Sequence, residues 1–475
     1  MMNKNLFILF LFLSQAGLSQ VKKWSLKECM QTALEHNISL NQNKLTIESA
    51  RAVWEQSQYN LYPTLNLSDA QNFNFGRSID PVSYQYTSQN FATNTPSLNS
   101  TVTLYGGFRN LNLVKENKLS YMAGTLDLEK MQNDLSLNVI GAYMQVLLAA
   151  EAMNLAMEQA ASTSIQAERT EKFVNAGKYP ELNLLQVRSQ LASDKSAIVD
   201  AENALQIAKV NLMQLMELPV VPEFDIEKPV LETALSELAI TPAEVVYKNA
   251  LSWQPQVKSA VYRSQAAETD LRISQGSILP VLSLSGALRT SYSSLRSRTS
   301  EQISYQRETI GYLQGNLSQP VIGLIPVSII SSSGYPIGKQ FSDNFSQAAG
   351  LTLTIPIFNN FQGKYAIVRS KIGIQNARLN EDAVKIQLRK TVEQACTDQS
   401  GAAKKLAATT EQEKSEERTY VDMEKKLNAG IANMTDFLIE KSNYNKARIS
   451  RLVSKYDYAY KTKVVDFYLG KPLSF

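Results

Sequence analysis

A chain of 475 residues with only 20 glycines and 15 prolines is short of both backbone punctuators, about 7% against a usual ~12%, which points to long uninterrupted helices. Charge is nearly balanced, 48 basic against 44 acidic residues, and this speaks against a nucleic-acid partner or an acidic tail. One histidine, His36, and two cysteines, Cys29 and Cys396, exclude a His-rich metal site, a His-paired triad, a disulfide framework and a thiolate zinc site, so no cofactor is expected.

Residues 1–19 read as an export leader. Lys4 gives a positive start, Leu6 to Leu13 an apolar stretch, and Gly17 and Ser19 the small residues before a cut that leaves Gln20 first. No cysteine stands at that cut, so no lipid anchor is expected there. A capping box, Ser25-x-x-Glu28, then opens a short helix that breaks at Asn37, and a second helix follows over about 39–61. Apolar residues next recur at period two, Leu65/Leu67 with Phe73/Phe75 and then Leu98/Val102/Leu104, as in strands with one apolar face. Polar, aromatic and Gly-bearing stretches between them, such as residues 75–81, read as loops. No proline occurs from Ser97 to Tyr179, and a helix over 111–173 would be ~95 Å long. It ends at Asn175-Ala176-Gly177, and a returning helix covers 181–217.

The plan then starts again. Thr241-x-x-Glu244 reads as a second capping box, and Gln254-Pro255 as the second break. A helix runs to Ser277, followed by alternating Leu282/Leu284/Leu288 and Leu351/Leu353/Ile355/Ile357. A proline-free helix over 361–427 ends at Asn428-Ala429-Gly430, and a returning helix covers 434–469. At an offset of 217, Pro63, Leu65 and Leu67 fall on Pro280, Leu282 and Leu284; at 253, Asn-Ala-Gly falls on Asn-Ala-Gly. The 36-residue difference is an insertion between Ser285 and Leu351. The organisation is a leader at 1–19, a first repeat at 20–218, a linker at 219–241 and a second repeat at 242–475.

Four alternating strands cannot close a membrane barrel, whose smallest form has eight. Either helices cover the apolar face, or several chains pool their strands in lipid. Pooling is favoured by strands near the nine to eleven residues a tilted membrane strand needs and by scarce charge, only Asp69, Arg77 and Asp80 between Leu61 and Phe108. Aromatics gather where strands meet helices: Tyr59 and Tyr62, Tyr105 and Phe108, Phe358 and Phe361, as in an interfacial girdle. The helices have narrow, Ala-rich apolar seams and much Gln, Asn, Ser and Thr, which suits the wall of a water-filled tunnel and equally a solvated rod. The apolar stretch 139–157 is interrupted by Gln145, Glu151 and Asn154 and reads as locally buried against the short first helices. No nucleophile motif, phosphate loop or carboxylate pair stands out, and no enzyme is expected.

The ordered repeat resembles the TolC-like outer membrane efflux protein family. The likeness rests on Leu-Tyr-Pro-Thr-Leu-Asn-Leu at 61–67 with Ile-Leu-Pro-Val-Leu-Ser-Leu at 278–284, Leu-Thr-Ile-Pro-Ile-Phe-Asn-Asn at 353–360, and both Asn-Ala-Gly turns; residues 75–81 look like a loop common in Bacteroidetes members. The resemblance implies an α+β membrane protein: an internally duplicated fold with a long helical tunnel across the periplasm, and a homotrimer whose four strands per chain make a twelve-stranded barrel in outer-membrane lipid. It implies a passive duct for efflux or type I secretion, docked by a periplasmic adaptor (membrane fusion) protein to an inner-membrane transporter at the Gly177 and Gly430 turns. It also implies a tip constriction at Asp436, with Asn183 in its place in the first repeat. A second family aspartate would fall at Ile439, the tip arginine at Ala432 and the tyrosine before the turn at Leu427. The alternative is a periplasmic coiled-coil scaffold or adaptor without channel activity.

Overall fold

The computed structural model describes residues 23–229 and 241–472; the expected leader and residues 230–240 of the expected linker lie outside them. In chain order the elements are β1 (Lys23–Trp24), α1 (Leu26–His36), α2 (Ile38–Tyr59), β2 (Thr64–Ser68), β3 (Gln71–Asn74), β4 (Ser78–Ile79), β5 (Tyr86–Thr87), β6 (Phe91–Asn94), β7 (Ser97–Tyr105), α3 (Arg109–Asn175), α4 (Glu181–Leu215) and β8 (Asp225–Ile226). After the undescribed residues come α5 (Ala243–Trp253), α6 (Pro255–Gly276), β9 (Val281–Arg289), β10 (Tyr292–Ser293), β11 (Ser297–Leu313), β12 (Asn316–Gly334), α7 (Ile337–Asp343), β13 (Ser346–Thr354), α8 (Gln362–Asn428) and α9 (Met434–Tyr468).

Corresponding helices have equal lengths: α1 and α5 have 11 residues, α2 and α6 have 22, α3 and α8 have 67, and α4 and α9 have 35. The long and returning helices lie within two residues of the expected bounds at every end. Ser25 caps α1 as expected, its hydroxyl accepting from the Glu28 amide while the Glu28 carboxylate accepts from the Ser25 amide at 3.0 Å. The second box does not form. Helix α5 starts after Pro242 without a side-chain cap, and the Glu244 carboxylate instead faces Lys248 and Arg389 at 3.8 and 4.0 Å.

Described residues fall into two compact units, each built from both halves of the chain. One holds those up to Val53, Glu116–Ala267 and those from Ile372 onward; the other holds Trp54–Lys115 and Glu268–Lys371. The first unit is helical. In its main core Val139, Ile140, Tyr143 and Leu147 of α3 are buried with Leu26, Cys29 and Ala33 of α1, so the apolar stretch is covered by the short first helix as its interruptions implied. The Tyr143 hydroxyl donates to the Trp24 and Glu227 carbonyls at 3.2 and 2.6 Å, tying the parallel β1–β8 ladder to α3, and burial pushes its phenol pKa up. A second core packs Val246 and Ala250 of α5 with Val392 and Cys396 of α8 and Val465 and Phe467 of α9.

The second unit carries the strands. Its main sheet has the order β13-β9-β7-β2 and is antiparallel throughout. Three expectations need correction here. The 64–75 segment is two strands, because the chain leaves the main sheet after Ser68 and β3 joins a separate β10-β6-β3 sheet, with Phe75 beyond it. Ile355 and Ile357 lie past the end of β13, since Pro356 has no N–H to continue the ladder. The stretches between the main strands are not merely loops: they hold β3 to β6 and β10, and the insertion forms a hairpin of 17- and 19-residue strands, β11–β12, turning at Gly315 (φ 91°).

Candidate functional site

The pairing register sorts the main sheet into two chemically distinct faces. One carries Leu65 and Leu67 of β2, Leu98, Ser100 and Val102 of β7, Leu282, Leu284, Gly286 and Leu288 of β9, and Gln347, Ala349, Leu351 and Leu353 of β13, so it is mainly apolar. The other carries Thr64, Asn66 and Ser68; Ser97, Asn99, Thr101 and Thr103; Val281, Ser283, Ser285, Ala287 and Arg289; and Ser346, Ala348, Gly350, Thr352 and Thr354. A skipped partner at Leu104 shifts β7 by one residue at its end, as in a bulge. Leucines on the apolar face are open, Leu67 at 77% and Leu351 at 67% exposure. A folded chain rarely leaves so large an apolar patch bare without a partner for it. The outer edges of β2 and β13 pair with no third strand among the described residues.

Helix-side ends of these strands carry the six aromatics singled out from the sequence. Each pair touches: Tyr59–Tyr62 with ring centroids 6.2 Å apart, Tyr105–Phe108 at 5.6 Å and Phe358–Phe361 at 5.5 Å, the last two edge to face. All six are exposed within the single chain. Phe108 and Phe361, which share the 253-residue register, both hold left-handed backbone, φ 59° and 58°, a conformation rare for bulky side chains. In the same unit a Cβ on Gly107 would come 2.6 Å from the Gly276 carbonyl oxygen, so two glycines let the strand–helix corners of the two halves meet backbone to backbone.

In the helical unit both Asn-Ala-Gly turns are Schellman motifs. Lys178 N–H donates to the Phe173 carbonyl and Gly177 N–H to Val174; Ile431 N–H donates to Lys426 and Gly430 N–H to Leu427. Gly177 and Gly430 have φ of 70° and 71°, with open space where a Cβ would stand. Asn175, Ala176, Asn428 and Ala429 complete the turns. Asp436 and Asn183 occupy the same third position of α9 and α4. Asn433 caps α9 by accepting from the Asp436 amide at 2.7 Å, and the Asp436 carboxylate is exposed. The two hairpins are linked here by Gln186 donating to the Thr435 hydroxyl at 3.2 Å and by a shared core of Val187, Leu427, Met434 and Phe437. Leu427, where the family's tyrosine would fall, is thus a core residue, and the Tyr179 hydroxyl donates to its carbonyl at 3.5 Å.

Sequence reading missed one polar cluster. Lys441 of α9 is 3% exposed; its ammonium donates to Ser162 and Thr163 of α3 at 3.2 and 2.9 Å, and the Thr163 hydroxyl donates to buried Asp194 of α4. Burial pushes the Lys441 pKa below the usual lysine range, and Asp194 and Glu424 oppose that shift. A lysine on the apolar stripe of Met434 and Phe437, four residues after Phe437, was the signal available.

The sequence profile of the outer membrane efflux protein family matches residues 29–217 and 246–470. The chain belongs to that family. It is 24% identical over 266 residues to the probable outer membrane lipoprotein SilC of Salmonella typhimurium, a match over 56% of this chain and spanning about half, 55%, of SilC. The fold is similar to that of VceC from Vibrio cholerae (TM-score 0.73, 14% identity, 94% of this chain and 97% of VceC). It is also similar to that of the CmeC outer membrane channel of Campylobacter jejuni (TM-score 0.70, 17% identity, 93% of this chain and 84% of CmeC). The architecture is therefore the internally duplicated TolC-like one.

Proposed function

We propose that the chain is one protomer of a homotrimeric outer-membrane exit duct, a passive conduit for efflux or type I secretion. The carrying observation is the open sheet with a leucine face, a hydroxyl-and-amide face and two bare edges. Strand directions alternate from β2 to β13, so the β13 edge of one copy meets the β2 edge of the next antiparallel. Three copies then close twelve strands with no edge left, leucines to lipid and hydroxyls to water. A periplasmic scaffold has no use for a bare leucine face.

The remaining parts follow from that placement. The halves 20–218 and 242–475, joined by 219–241, act as structural repeats, each giving two strands and a helical hairpin. The six exposed aromatics sit at the lipid–water interface. The Gly177 and Gly430 turns receive the periplasmic adaptor that couples the duct to an inner-membrane pump, and Asp436, with Asn183, lines the constriction. Purified from outer membranes, the protein is expected to run as a trimer in SDS until boiled and to form conducting pores in planar bilayers. Asp436→Asn is expected to lower cation preference at low salt. A stable monomer released without detergent overturns the reading.

A further inference from the structure

On the polar face of the main sheet, Arg289 is the one ionisable side chain. The register aligns it in a row across all four strands: Ser68 opposite Ser97, Ser97 opposite Arg289, and Arg289 opposite Ser346. This row closes the sheet at the end where the strands connect through loops, opposite the helix ends. Among the described residues no carboxylate pairs with the Arg289 guanidinium. An open hollow of about 500 Å³ lies over the row, and Arg289, Ser97, Ser346, Tyr84, Thr95 and Asn344 contribute to its lining, which contains no acidic residue. The chemistry is that of an oxyanion site: a guanidinium fork and surrounding hydroxyl and amide donors, with Asp69, Asp80 and Asp343 adjoining the row and the lining but no carboxylate in the lining itself.

We propose that Arg289 makes the outer mouth of the duct an anion-binding ring, which favours solutes bearing carboxylate or phosphate groups on their way out. The inference rests on the trimeric reading above, which brings three copies of the row into one circle. Twelve strands about 4.8 Å apart and tilted ~40° enclose a wall about 12 Å from the axis. The Debye length is ~10 Å at 0.1 M salt and ~3 Å at 1 M. The fields of three guanidinium groups therefore overlap across the mouth at low salt and are screened out at high salt.

The test uses the intact trimer in planar bilayers of neutral lipid, in an Asp436→Asn background that removes the carboxylates at the other end. At 0.1 M KCl an anion-over-cation permeability ratio of about two or more is expected, shrinking toward one in 1 M KCl. Arg289→Gln is expected to bring the ratio to one and Arg289→Lys to keep most of it, with boiling-sensitive trimers in both. Millimolar inorganic phosphate added on the loop side should reduce the chloride current of the unaltered trimer, and phosphate on the helical side should not. Conducting Arg289→Gln trimers with an unchanged ratio, or phosphate block equal from both sides, overturn the anion ring and leave the duct standing. A phosphate effect seen only with anionic lipid in the bilayer assigns the arginine to lipid headgroups and also overturns it. Absence of any conductance sinks the duct reading and the ring with it.

Discussion

Two neighbouring residues of one strand give the sharpest test of the membrane reading. Leu284 and Ser285 lie at the middle of β9, Leu284 between Val102 and Leu351 on the apolar face, and Ser285 between Thr101 and Gly350 on the polar face. An arginine on a lipid face near mid-membrane costs about 2–4 kcal/mol, so Leu284→Arg costs a closed trimer ~6–12 kcal/mol. That is comparable to the whole stability of an ordinary domain, ~5–15 kcal/mol. Ser285→Arg meets water and loses one 3.4 Å hydrogen bond to the Gly350 carbonyl, worth ~0.5–1.5 kcal/mol per chain. The assay is the fraction of boiling-sensitive trimer in outer-membrane extracts, with urea titration of the protein refolded into vesicles. Leu284→Arg should abolish the trimer and Ser285→Arg should spare it. Equal damage from both, or greater damage from Ser285→Arg, would refute the assignment of the leucines to lipid.

Gly430→Val places a β-branched residue at φ 71° with free space around it, so the cost is backbone strain alone, about 1–2 kcal/mol. Trimer yield should survive while adaptor capture in pull-downs falls, and loss of the trimer itself would make the turn an assembly element. Excision of the β11–β12 hairpin between its paired base residues Ser297 and Gly334 should leave the trimer's dissociation temperature unchanged, since among the described residues no third strand pairs with it; a lower temperature would show that the hairpin braces the assembly. Because burial lowers the Lys441 pKa, the folded state binds fewer protons than the unfolded one between that depressed value and ~10.4. The lysine's contribution is therefore complete above the unfolded value and is lost as pH falls through the folded one. Melting followed as pH rises toward ~10.4 should show a stabilising rise that Lys441→Met removes; identical pH slopes in the two proteins would contradict it.

The helices were legible because what ends them is local chemistry. Missing prolines, two Asn-Ala-Gly triplets and Gln254-Pro255 act within a few residues, and the observed ends agree closely. The failures share another cause. Thr241-x-x-Glu244 has the right letters, yet the helix opens after Pro242, which puts Glu244 one residue short of the box position; its carboxylate faces Lys248 and Arg389, the latter distant in sequence. The β11–β12 hairpin was hidden by its serines and by Pro320 and Pro326, which read as loop residues. Its register sets Tyr312 against Pro320 and Tyr305 against Pro326, positions where an edge strand can do without an N–H.

Alternation along β9 already separates Arg289 from Leu282, Leu284 and Leu288, so its face could have been read from parity alone. Its neighbours could not. Setting Arg289 beside Ser97 and Ser346 requires the offsets between three strands, and those depend on where each connecting stretch lets its strand begin. The 36-residue insertion makes that offset unpredictable for β13. Lys441 is the converse case. Its place on an apolar stripe was readable, but its partners Thr163 and Asp194 come from the other repeat's hairpin, so the letters show an anomaly and only the packing shows its resolution. Side chains whose role depends on a partner from another segment are thus the ones a single sequence leaves open. Asp436 is exposed and has no ion-pair partner among the described residues, and a role on the symmetry axis requires the other two copies.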